Sequence, residues 1–132
     1  MRGFLLDTHI WLWSLLEPQR LVPPVTKALM TNGGKLWLSS ISVWETTVLA
    51  EKRRIVLNRP TREWLSQALR KAPVHEAAIT FEVATTAAEI ELPHRDPADR
   101  LILATARVFD LTLITADRTL LEQDTAPTLA NR

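Results

Sequence analysis

The stretch whose reading decides the fold is His94-Arg95-Asp96-Pro97-Ala98-Asp99-Arg100-Leu101-Ile102-Leu103-Ala104-Thr105-Ala106. Asp96 is placed to cap a helix, Pro97 suits its first position, Asp99 falls in its first turn, and Leu103, Ala104 and Ala106 give it a small apolar face. The helix therefore opens with two carboxylates at its mouth. Acids in such places satisfy orphan N–H groups and meet the positive end of the helix dipole, so capping alone would account for them. Three apolar runs elsewhere in the chain change the balance. Asp7 ends the run Gly3 to Leu6, Glu45 follows Leu36 to Leu38, and Asp117 comes just after Leu111 to Ile114. In an open parallel sheet the C-terminal ends of the strands face one crevice, where ligands bind. Asp7, Glu45, Asp99 and Asp117 would then meet from distant parts of the chain.

Around this centre the composition sets limits. At 132 residues, the length fits one domain, 1–132, with a core able to support itself. A hydrophobic share of 46% and a charged share of 23% are those of a globular protein rather than a disordered one. The absence of cysteine excludes disulfides, thiolate metal sites and thiol nucleophiles, leaving oxygen and imidazole as metal donors. The start Met1-Arg2-Gly3-Phe4, with its apolar run cut by Asp7, reads as neither a signal peptide nor a membrane span, and the expected location is cytoplasmic. A net charge of +1 neither demands nor forbids a nucleic-acid partner. Any phosphate-binding surface must be local, with Lys52, Arg53, Arg54, Arg59, Arg62, Arg70 and Lys71 as candidates against a default of solvated helix faces.

Taken in order, Gly3 to Leu6 reads as a buried parallel strand, and the apolar residues from Ile10 to Leu16 as a helix ending before Pro18. Pro23 and Pro24 open a second helix reaching about Met30, stopped by the turn Asn32-Gly33-Gly34. Leu36 to Leu38 is the second strand. Ser39, Ser40 and Ser42 offer caps for a helix from about Val43 to Arg53, and Ser42-Val43-Trp44-Glu45 matches a capping box, which leaves Glu45 open between a cap and a site residue. Thr61 starts a helix carrying Trp64, Leu65, Ala68 and Leu69 on one face, and Thr80 caps another running to about Glu89. The middle helices are expected to form an antiparallel arm. After the central helix come the strand Leu111 to Thr115, a helical turn capped by Asp117, and a tail from Asp124 that reads as frayed or partner-bound. Strands alternating with helices predict an α/β fold, a mostly parallel central sheet flanked by helices on both sides.

Several carboxylates in one cleft repel each other and call for a cation unless some are protonated. Oxygen-only donors suit a hard divalent ion, Mg²⁺ or Mn²⁺, which keeps open positions for water and a substrate phosphate. The chemistry that follows is metal-dependent phosphodiester hydrolysis. Asp7 and Asp99 are the leading ligands, with Glu45 and Asp117 completing the cluster. Asp96 reads first as a helix cap and second as support for the cluster; His9 and His94 stand outside the metal set, and Thr8, Thr115 and Arg100 are auxiliary candidates. Two alternatives stay open at the level of the residues, a non-catalytic α/β interaction module whose acids are caps and a DNA-directed nuclease with the same acidic site. A phosphatase of the haloacid-dehalogenase type would need a second acid where His9 stands. A phospho-receiver domain would need a lysine late in the chain, and none follows Lys71.

Four segments in order, Leu5-Leu6-Asp7-Thr8-His9, Ser42-Val43-Trp44-Glu45, His94-Arg95-Asp96-Pro97-Ala98-Asp99-Arg100 and Thr115-Ala116-Asp117, resemble the PIN-domain family, and more narrowly the VapC-type toxins of toxin–antitoxin pairs. The resemblance spans nearly the whole chain, and its small departures include Ala98 where the family often has a bulky aromatic. It implies a PIN-like α/β/α fold and an endoribonuclease that leaves a 3′-hydroxyl and a 5′-phosphate. It also places Glu45 in the site, so the implied catalytic and metal-binding set is Asp7, Glu45, Asp99 and Asp117 around Mg²⁺ or Mn²⁺. The implied partners are RNA, a cognate antitoxin whose tail packs in a groove near the site, and a second copy of the chain in a homodimer. Trp11, Trp13, Trp44 and Trp64 are candidates for that groove or for the core, with core the default for one of Trp11 and Trp13.

Overall fold

The computed structural model describes residues 3–31, 35–93 and 96–132. The turn expected at Asn32-Gly33-Gly34, the extreme N-terminus and His94 lie outside the described residues. Five strands, β1 (Phe4–Leu6), β2 (Leu36–Ser39), β3 (His75–Ala77), β4 (Thr112–Thr115) and β5 (Thr128–Ala130), form one sheet in the order β3-β2-β1-β4-β5, with every pair parallel. The strands are connected through helices α1 (Thr8–Leu16), α2 (Pro23–Thr31), α3 (Ser40–Glu51), α4 (Thr61–Lys71), α5 (Phe81–Glu89), α6 (Pro97–Val108) and α7 (Arg118–Leu121), with a 3-10 turn at Pro18–Arg20. None of these helices is long and apolar enough to cross a membrane.

Parallel strands are buried on both faces, and adjacent residues must feed opposite sides of the sheet. In β1, Leu5 joins one core with Val83, Ala87, Ile102, Leu103 and Leu113, so α5 and α6 cover that face. Leu6 joins the other core with Ile10, Trp11, Val25, Leu38, Trp64 and Ile114, so α1, α2 and α4 cover the second. The expected three-layer α/β/α arrangement follows. The Trp64 face of α4 meets Trp11 edge-on at 5.9 Å, so α4, which also packs on α3, belongs to the layer rather than projecting from it. Trp11 and Trp64 are therefore core, while Trp44 is 59% exposed.

The order of strands reverses at β1. Successive strands β1, β2 and β3 run out to one edge, and the chain then returns to place β4 on the other side of β1. The crevice beyond the C-terminal ends of β1 and β4 is where such a sheet receives a ligand. The tail is ordered on this side as well: β5 pairs with β4, and the buried Asn131 accepts from Val22 N–H at 2.8 Å and donates to Arg20 O at 3.1 Å. The expectation of a frayed tail is corrected on that ground, because long-range hydrogen bonds hold the segment.

Candidate active site

Each acid reaches the crevice for a local reason. Asp7 follows β1 in extended backbone, with its N–H bonded to Ile114 O at 3.0 Å. Its Oδ1 accepts from Thr8 N–H at 2.8 Å as the cap of α1, and its Oδ2 accepts the Thr115 hydroxyl at 2.7 Å. The Thr115 oxygen in turn accepts Asp117 N–H at 3.0 Å, so one hydroxyl ties the end of β1 to the end of β4. Asp117 caps α7 through Leu120 N–H at 3.2 Å, and Asp96 caps α6 through Ala98 N–H at 2.9 Å. The caps expected at Asp96 and Asp117 are thus present, and Asp99 stands in the first turn of α6.

The capping box expected at Ser42 is not what forms. Ser39 caps α3 by accepting Ile41 N–H at 3.1 Å, and the helix begins at Ser40, three residues before the expected Val43. Ser42 and Glu45 are then neighbours on one helix face, an i,i+3 pair. Ser42 is fully buried with its Oγ 2.8 Å from Thr8 Oγ1, while Glu45 Oε1 accepts the Thr8 hydroxyl at 2.6 Å. A threonine hydroxyl has one proton, so when Thr8 gives it to Glu45 the Ser42 hydroxyl must donate to Thr8. The order of donation is Ser42, Thr8, Glu45, and Glu45 is a cleft residue rather than a cap.

Asp7, Glu45, Asp96, Asp99 and Asp117 line one cavity of about 360 Å³, together with Thr8, His9, Trp13 and Ala116. All four acids singled out from the sequence are there, with Asp96 as a fifth. Burial pushes the Asp7 carboxyl above its ordinary range, against the opposing effect of its bonds from Thr115 and Thr8. Burial likewise raises Glu45, with Asp7 and Asp96 adding repulsion. Asp99 is pushed up to about 7, first by burial and then by the charges of Asp96, Asp7, Asp117 and Glu45. Carboxyls that raise one another in this way favour a cation among them.

Among the described residues, no three His, Asp or Glu side chains stand close enough together to form a ready-made cation cage. The acids instead line one cleft with hard oxygen donors. Mg²⁺ suits that arrangement, since it retains several waters and takes only one or two carboxylates alongside phosphate oxygens. On donor chemistry the residues fit a hard divalent ion.

His9 lines the cleft but is exposed, with its ring 5.8 Å from that of Trp13. Arg100 is not among the lining residues, and its buried Nε has no hydrogen-bond partner among the described residues. Of the basic candidates, Arg59 is tied to Glu63 at 3.5 Å, and Arg54 lines a neighbouring cavity. Sequence reasoning missed Ser42 as a buried support of the site; its i,i+3 spacing from Glu45 was the available signal.

The chain matches the PIN domain family over residues 4–125. It is 41% identical over 123 residues to Ribonuclease VapC22 of Mycobacterium tuberculosis, covering 91% of each chain. Its fold matches that of a DNA-bound VapBC structure from Salmonella typhimurium, with a TM-score of 0.76 and 19% identity over 98% of both chains. A toxin–antitoxin complex from Klebsiella pneumoniae gives a TM-score of 0.72 at 20% identity, again over 98% of both chains.

Proposed function

Since this chain belongs to the PIN-domain family, on its VapC-type branch, we propose that it is a divalent-metal-dependent endoribonuclease, the toxin of a toxin–antitoxin pair, working through one PIN-like domain. The observation that carries the reading is the convergence of Asp7, Glu45, Asp99 and Asp117 from four separate segments onto one cleft at the switch point of the sheet. Acids that served only as caps would have no reason to gather, nor Asp7, Glu45 and Asp99 to be buried or half-buried. The name Ribonuclease VapC22 supports RNA as the substrate. The toxin–antitoxin complexes among the structural neighbours support a cognate antitoxin as the regulator, and the resemblance adds a homodimer.

In this reading Asp7 and Asp99 would hold Mg²⁺ or Mn²⁺, with Glu45 and Asp117 completing the donor set. When bound, the ion supplies a polarising contact to a phosphoryl oxygen and a water of lowered pKa, aimed at a phosphodiester. The protein's own part is positioning. Thr115 fixes one Asp7 oxygen and Thr8 N–H the other, while the Ser42 and Thr8 hydroxyls fix Glu45. Such supports set the aim of a metal-binding carboxylate.

The test is cleavage of an end-labelled RNA panel, including transfer and ribosomal fragments, by the parent and Asp99→Asn, each with Mn²⁺ or Mg²⁺ and with chelator. Discrete metal-dependent cuts that vanish in the variant are expected. Equal cutting by both proteins would move the chemistry away from Asp99. Cutting of DNA but not RNA would favour the DNA-directed alternative, and an absence of metal binding would favour an interaction module.

A further inference from the structure

Beside the carboxylate cleft lies a second cavity, of about 530 Å³, whose walls include His9, Trp13, Arg20, Leu49, Arg54 and Val56. His9 and Trp13 line both cavities, so the two are one side chain apart. In charge they are opposites. The first gathers five carboxylates; the second carries two guanidinium groups on largely apolar walls with a single acid, Glu17, already tied to Arg20 at 3.1 Å.

Both arginines are placed by the backbone around them. Arg20 closes the 3-10 turn, its carbonyl accepts from Asn131, and its guanidinium lies 4.4 Å over the Trp13 ring. Arg54 follows the end of α3, where Arg53 N–H bonds Ala50 O at 3.1 Å and Arg54 N–H bonds Leu49 O at 2.9 Å. That pair of bonds requires a left-handed residue at the turn, and Arg53 takes the conformation at φ 56° where glycine would be at ease. The reversal brings Arg54 onto the same cavity as Leu49. Among the described residues Arg54 has no ion pair.

A polynucleotide cut in the acidic cleft has a further phosphate one nucleotide along, and the five carboxylates there would repel it. Arginine is suited to hold such a phosphate bidentately, and apolar walls suit the face of a base. An apolar peptide in the same place would strip water from the guanidinium of Arg54 without giving it a partner. We propose that this second cavity is the subsite for the nucleotide adjoining the scissile phosphate, with Arg54 and Arg20 holding that nucleotide's phosphate. The proposal rests on the reading of the acidic cleft as a phosphodiester-cutting site.

The test is anisotropy of a labelled single-stranded RNA over a range of salt, in an Asp99→Asn background that stops turnover. Arg54→Ala is compared with Arg54→Lys and with Arg107→Ala, which removes an exposed charge at the far end of α6. Arg54→Ala is expected to weaken binding about tenfold and to reduce the slope of log K against log salt by about 0.7, one phosphate contact on a single strand. Arg54→Lys should keep the slope and lose part of the affinity, because it keeps the charge but not the fork. With Asp99 intact, Arg54→Ala should raise KM more than it lowers kcat. The proposal is overturned if Arg54→Ala behaves as Arg107→Ala does, or if it weakens binding of the cognate antitoxin while RNA affinity holds. Should the parent bind RNA through Arg54 yet cut none, the cleavage reading fails while the phosphate contact stands.

Discussion

The floor and the rim of the acidic cleft are built on different terms. On the rim, Asp96 and Asp117 are exposed and each spends an oxygen on the first turn of a helix, so both serve the fold. On the floor and inner wall, the Asp7 carboxyl is pushed up from its ordinary range and that of Asp99 to about 7, above all by burial. The difference is one of burial, since Asp7 too caps α1 and ties β1 to β4: it separates carboxyls held at the surface from carboxyls held at a desolvation cost. A protein carrying carboxylates at a cost to its own stability is keeping them for something else. The sharpest way to break the contrast is to neutralise the floor. Asp7→Asn and Asp99→Asn are each expected to lower RNA cleavage by more than about 100-fold, exceeding the loss usual for a group that only supports a metal ligand. Metal-free melting temperatures should hold or rise for Asp99→Asn. A fall of many degrees there would mean that Asp99 is structural.

Next in size is the support beneath Glu45. Thr8→Val keeps the shape of the side chain but removes the hydroxyl that joins Ser42 to Glu45. Cleavage is expected to fall about 10- to 100-fold. Thr8→Ser should recover most of it, because the proton is restored. Loss of the same size in both variants would place Thr8 in packing instead.

A smaller effect reads the floor through pH. Asp99 titrates at about 7 in the folded chain, against an ordinary aspartate near 3.9 when unfolded. The folded state therefore binds this proton more tightly, and metal-free stability should fall as pH rises from about 4 to 7 and then level off. Added Mn²⁺ competes with the same proton, so its stabilisation should grow over that window and be absent in Asp99→Asn. Thermal melts at pH 5, 6, 7 and 8, with and without Mn²⁺, measure this. A metal-free melting temperature that does not fall between pH 5 and 7 would remove the case for a strained Asp99.

The division also marks what was legible in the sequence. Caps are local, so Asp96, Pro97 and Asp117 could be read from a few neighbouring residues, and the apolar runs behind Asp7 and Asp117 fixed the strands β1 and β4. What was illegible depends on distant partners. Thr128–Ala130 is only three residues long and follows a proline, and its order comes from β4 and from Asn131 reaching back to Arg20 and Val22. His75–Ala77 carries two exposed polar residues on an edge strand and lacks an apolar signature. At α3 three serines, Ser39, Ser40 and Ser42, competed for the cap. The choice went to Ser39 because Ser42 is buried against Thr8, which no local pattern records. Arg20 was passed over because a 3-10 turn gives no periodic signal.

The finest test sits where floor and rim touch. Asp96 caps α6 and is also the largest source of charge repulsion on Asp99 after burial. Asparagine caps a helix about as well as aspartate, whereas alanine loses about 1 kcal/mol. Asp96→Asn should therefore leave the melting temperature within about a degree, and Asp96→Ala should lower it by about 3–5 °C. Both variants remove the charge, so in both the Asp99 proton should leave at lower pH, and the midpoint of Mn²⁺-dependent stabilisation should move down with it. Stability would then follow the cap and the titration would follow the charge, two readouts separated by one pair of substitutions. If Asp96→Asn lost stability as Asp96→Ala does, the charge and not the hydrogen bond would be holding the helix. If the midpoint stayed in place in both, Asp96 would have no hold on the floor, and Asp99 would owe its raised value to burial and to the charges of Asp7, Asp117 and Glu45.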